Sequence, residues 1–115
     1  MKIIVDGKRY GVTMEKNTLS ESIAAMCPMT LDMNRSGGHE YYAALTGSVK
    51  TAGASQTSQV KRSGVYYFAA WNAFSLVFQD ASIEPYSVHI IGQADSALAD
   101  VLDNAQAKLK ITIEE

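Results

Sequence analysis

Few residues in this 115-residue chain are of types that do covalent chemistry: one cysteine and two histidines. Cys27 could act as a nucleophile only as its thiolate. It closes a helical segment just before Pro28, where the negative end of a helix dipole disfavours that anion. An inert, buried small hydrophobe is therefore expected. His39 follows Gly37-Gly38 and reads as an exposed turn residue. His89 lies between Val88 and Ile90 in an apolar segment, either as a hydrogen-bonded histidine of the core or rim or as the acid or base of a pocket. Apart from Glu40 beside His39, neither histidine has a ligand-type neighbour within four residues. The reading is no metal, no cofactor and no catalytic set. The glycines lack the strand-to-helix setting and the Lys-Ser/Thr of a phosphate loop, and no G-x-S-x-G elbow occurs.

The aromatic residues carry more information. Tyr41, Tyr42, Tyr66, Tyr67, Phe68 and Trp71 crowd two segments. A domain this small cannot bury all six, because buried hydroxyl and indole groups need partners. About half should fill the core and the rest should line a groove. Alternation over 65–71 puts Val65, Tyr67, Ala69 and Trp71 on one face and Tyr66, Phe68 and Ala70 on the other. Trp71 stands at the end of that segment, at a rim. The expected groove is bordered by Tyr42, Phe68, Trp71 and His89, and the competing expectation is a Trp71 that merely plugs the end of the core.

These residues need elements to hold them. Asp6-Gly7 between two β-rich segments, 2–6 and 9–14, signals a hairpin. Thr18-Leu19-Ser20-Glu21 reads as a capping box opening a helix over 18–27, with Leu19, Ile23 and Met26 as its apolar stripe. Met29–Met33 and Glu40–Leu45 read as strands around a turn at 34–38, and 46–58 as an unstructured Gly/Ala/Ser/Thr loop. A short strand at 59–60 follows, then strands at 65–71, 74–78 and 87–92. A helix over 95–105, with Leu98, Val101, Leu102 and Ala105 as its stripe, precedes a closing strand at 108–114. About eight short strands and two short helices, with no β–α alternation, predict a mainly β, closed antiparallel barrel in a single domain, 1–115.

Composition limits the partners. Ten basic against twelve acidic side chains leave a net charge of -2, and no basic cluster interleaves the aromatics, so neither nucleic acid nor an anionic membrane is an expected partner. An apolar opening of three residues is too short for a signal peptide, and no stretch reaches the ~20 residues of a membrane span. With one cysteine, nothing demands an oxidising compartment, and a cytoplasmic location is expected.

The order strand, Asp6-Gly7-Lys8, strand, helix, Cys27-Pro28 resembles the opening of the cyclophilin barrel. Gly64-Val65-Tyr66-Tyr67-Phe68, Trp71 to Phe78, Val88-His89-Ile90-Ile91-Gly92 and the segment from Asp95 to Glu114 resemble the small bacterial and archaeal cyclophilin-like proteins of uncharacterised function. The resemblance implies the fold across nearly the whole chain. Cyclophilins carry a Phe-His-Arg motif whose arginine stabilises the twisted prolyl amide. Here the comparable strand reads His39-Glu40-Tyr41-Tyr42-Ala43-Ala44, without arginine, and the Gln-Gly-Gly-Asp stretch is missing. The expected function is a non-enzymatic module that binds a small molecule or an extended peptide. The alternatives are a divergent prolyl isomerase and a module that self-associates into a homo-oligomer.

Overall fold

A computed structural model describes all 115 residues of the protein. The chain opens on the expected hairpin, β1 (Lys2–Val5) and β2 (Lys8–Met14), joined by Asp6 and Gly7 at φ 49° and 80°. Helix α1 (Thr18–Ala25) is capped one residue earlier than the sequence suggests: Asn17 Oδ1 accepts the Ser20 N–H at 2.9 Å. With Asn17 as the cap, Glu21 lies one position too far along to complete a capping box. Next come β3 (Met29–Ser36), β4 (Glu40–Ala44), β5 (Gln56–Thr57), β6 (Gln59–Val60) and β7 (Gly64–Phe68). A 3-10 turn, Ala69–Trp71, leads into β8 (Ala73–Val77), followed by β9 (Ala81–Ser82) and β10 (Val88–Ala94). Helix α2 (Ser96–Asp103), capped by Asp95, and β11 (Lys108–Glu114) complete the chain.

Eight strands close into a ring in the order β2-β1-β11-β3-β4-β8-β7-β10, and β10 pairs back onto β2. The pairings are antiparallel, as expected. Closure runs through Gly92, where β10 bulges and pairs with β7 on one edge and with β2 on the other. A Cβ there would strike the Thr13 carbonyl of β2, so only glycine lets the two backbones come this close. β5 extends the sheet beyond β10. The 46–58 segment is thus not wholly without structure.

Inward residues of the ring, among them Ile3, Tyr41, Phe74, Leu76, Ile91 and Ile111, are buried with Leu19 and Ile23 of α1 and Leu98 and Leu102 of α2. Each such side chain contributes about 1.5–3 kcal/mol of burial. Val101 and Ala105 are only half-buried. β3 runs three residues further than its pattern suggests, to Ser36, which puts Arg35 on a strand rather than in a turn. From there its guanidinium donates to the carbonyls of Leu102 (2.8 Å), Asp103 (3.0 Å) and Ala105 (3.3 Å). No basic residue of α2 itself serves its last turn.

A second, smaller apolar cluster sits outside the barrel. Val60, Tyr66, Val77 and Val88 are buried there beneath the ribbon formed by β6 and β9. Tyr66 supports the ribbon by accepting the Lys61 N–H at its hydroxyl, at 3.0 Å.

Candidate functional site

The outer face of β4, β8, β7 and β10 carries a groove of about 440 Å³, within the usual size range of small-ligand sites. Its floor follows from residue size. Along β8, Phe74 and Leu76 point into the barrel, so alternation turns Ala73 and Ser75 outward. Register aligns Tyr42, Ser75 and Tyr66 across three strands, and Ala44, Ala73 and Phe68 in the next row. Small residues between large ones leave a trough.

The walls are aromatic. Trp71 meets Phe68 edge-on at 5.3 Å between ring centroids and Tyr42 at 5.7 Å. Phe68 also meets Tyr86 edge-on at 6.1 Å. Ile83 and Val88 continue that wall, and Ser36 and Glu40 line the groove as well. Trp71 and Tyr86 are each 62% exposed, the exposed large hydrophobic side chains of the protein, and both stand at this groove.

Three of the four residues expected at a groove are together here: Tyr42, Phe68 and Trp71. Trp71 arrives by a different route. The strand ends at Phe68, and the 3-10 turn swings Trp71 to the outer face instead of leaving it on the Tyr67 side. Asn72 fixes that turn in a left-handed conformation. Its side chain accepts the Tyr67 hydroxyl at 2.6 Å and donates to the Leu45 and Gly47 carbonyls, each at 3.0 Å. At this exposure Trp71 is no plug for the barrel end. His89 lies elsewhere: Val88 faces the groove, so the next residue turns to the Tyr67 side, with ring centroids 6.4 Å apart. Its Nδ1 is buried and has no hydrogen-bond partner, unlike the satisfied core histidine expected.

Glu40, Ser75 and Tyr86 were not singled out by the sequence. The Ser75 hydroxyl donates to Glu40 Oε1 at 3.0 Å. On the other side of the carboxylate, His39 Nε2 lies 2.8 Å from Oε2, in a close contact that lacks hydrogen-bond alignment. His39 is therefore folded against its neighbour, with its side chain 17% exposed, and is not the exposed turn residue expected. Cys27 is half-buried rather than buried, and its thiol donates to the Ile23 carbonyl at 3.5 Å. Burial, and then the negative charge of Glu115, push its pKa up, away from nucleophilic use.

A sequence model of the cyclophilin-like family matches residues 3–114, nearly the whole chain. The chain belongs to the cyclophilin-like family. A hypothetical protein of Archaeoglobus fulgidus, known from its solution structure, is similar at 18% identity with a TM-score of 0.66, covering 98% of this chain and 91% of that one. That likeness speaks for the barrel alone. No curated protein matches the chain. No helix in this family member is long and apolar enough to cross a membrane.

In this cyclophilin-like barrel, neither arginine nor lysine lines the groove. Arg35, next to the lining residue Ser36, is drawn to the C-terminus of α2, and its guanidinium stacks 4.2 Å from the Phe78 ring centroid. Arg62 reaches the same helix through Asp100 and Asp103. Both guanidinium groups are tied to α2.

Proposed function

We propose that the protein is a non-enzymatic binding module whose groove takes a small ligand or an extended peptide segment. The exposed Trp71 and Tyr86 on a concave surface carry this reading. Large rings left in water over an apolar trough mark a surface that gains by being covered. Tyr42, Phe68 and Trp71 are the binding residues of this reading; His89, on the other face of β10, is not. Prolyl isomerisation is disfavoured, because the groove offers no cationic donor to the rotating amide. Self-association through a strand edge is weakened by ring closure, which leaves only two-residue strands at free edges. The half-buried, unpaired thiol accords with a cytoplasmic location.

Trp71 is the chain's single tryptophan, so intrinsic fluorescence reports on the groove directly. A screen of small aromatic and amphipathic compounds and short proline-containing peptides is expected to return ligands that shift Trp71 emission and bind more weakly to Tyr42→Ala. Ligands that bind without disturbing Trp71, or a screen that returns none, would overturn the reading. Light scattering during gel filtration tests the self-associating alternative.

A further inference from the structure

Resting on that binding reading, we propose that the groove recognises a cation: an alkylated or protonated ammonium group, held by the rings of Tyr42, Phe68, Trp71 and Tyr86 and countered by Glu40. Three observations carry this. First, the rings present more than apolar area. Their neighbouring centroids are 5.3 to 6.1 Å apart with the rings tilted or edge-on to one another, so electron-rich ring faces are left free to meet a guest in the groove. A cation over such a face is attracted by the ring quadrupole, most strongly where water is excluded.

Second, the groove has one charged lining residue, and it is acidic. Glu40 is only 24% exposed, and burying a carboxylate without a countercharge is costly. Asp32, Asp100, Asp103 and Glu114 each have a lysine or arginine within ion-pair distance; Glu40 has only His39. Third, Glu40 is held in place. The Ser75 hydroxyl fixes one oxygen at 3.0 Å and His39 packs against the other. A pre-positioned carboxylate beside rings is the arrangement that selects ammonium over a neutral group of the same shape.

The same headgroup occurs free in solution and on a methylated lysine side chain, and the test separates these. Choline and its carbon isostere 3,3-dimethylbutan-1-ol, which have the same shape and differ in charge, are titrated separately into the protein under the same buffer conditions. Amide and indole NMR shifts are followed, and a trimethyllysine peptide and its unmodified twin form the second pair. Choline is expected to move the Trp71 indole N–H and to bind at least about tenfold more tightly than the isostere, a difference of about 1.4 kcal/mol. Glu40→Gln, which keeps the shape and an acceptor for Ser75, should shrink that difference to the part the rings supply. A tighter trimethyllysine peptide would identify a protein side chain as the source of the headgroup; equal or weaker binding would identify a free small molecule. Equal shifts of Trp71 by choline and isostere would overturn the cation inference and leave the binding reading standing. No shift of groove resonances by choline or the trimethyllysine peptide would likewise overturn the cation inference, while the binding reading stands or falls by the ligand screen.

Discussion

Arg35 Nη1 donates to the Leu102 carbonyl at 2.8 Å, so a strand side chain completes a helix that has no basic residue in its own last turn. Two further carbonyls, the Tyr41 hydroxyl and the Phe78 ring share the same guanidinium. Arg35→Met should therefore leave helix carbonyls unpaired and lower unfolding stability by about 2 kcal/mol. Urea denaturation checks this; a loss below about 0.5 kcal/mol, the level of an ordinary surface change, would contradict it.

Gly92→Ala should also destabilise, by about 1–3 kcal/mol, because the added methyl meets the Thr13 carbonyl where β10 joins β2. Gly11→Ala is the control: its new Cβ would meet only Lys2 Nζ at 3.7 Å, ordinary contact, and should change stability little. Equal effects at the two sites would contradict the closure argument.

Stability should fall in alkali. Burial raises the pKa of Cys27, Tyr66 and Tyr67, outweighing for Tyr66 the Lys61 N–H that favours its anion. A raised folded value means that the native state holds these protons more tightly. The contribution is complete below the unfolded thiol value of about 8.5 and drains as pH rises through the folded values. Urea midpoints at about pH 7.5 and pH 10.5 measure the drop, and Cys27→Ala should delay its onset. Native Cys27 should also label slowly with a thiol reagent at neutral pH.

Catalysis of prolyl cis–trans exchange should be negligible. A missing transition-state donor costs roughly 2.7–4 kcal/mol, or two to three decades of rate, and the groove supplies no arginine. Exchange spectroscopy on a proline peptide with added protein decides it; turnover near that of an authentic cyclophilin would contradict the expectation.

Trp71→Phe should cost under about 1 kcal/mol, because 62% of the residue is already in water, while weakening any groove ligand. A larger stability loss with unchanged affinity would make Trp71 a structural residue instead.

The elements were largely legible because each has a local cause: Asp6-Gly7 at the hairpin, Leu19 with Ile23 in α1, alternation of Phe74, Leu76 and Phe78. The groove was legible only in outline. Six crowded aromatics implied a surplus, and Tyr41, Tyr66 and Tyr67 are indeed buried while Tyr42, Phe68 and Trp71 reach the outer face. His89 is not at the groove because which face of β10 lies inward depends on its register with β7, a non-local property that the sequence does not show. The sequence marks Glu40 only as a neighbour of His39 and does not mark Tyr86 at all, because nothing near either says that β8 presents Ala73 and Ser75 on the outer face. Ala73 and Ser75, small positions alternating with Phe74 and Leu76, were the available signal.

The pairing of β1 with β11, Lys2 against Glu114, bears on the order of events during synthesis. Of the strands in the ring β1 is made first and β11 last, so the ring cannot close until β11 has emerged from the ribosome. Until then the inward faces of Ile3 and Val5 have only the β2 hairpin partner to cover them, a nonlocal topology that folds slowly and favours chaperone contact.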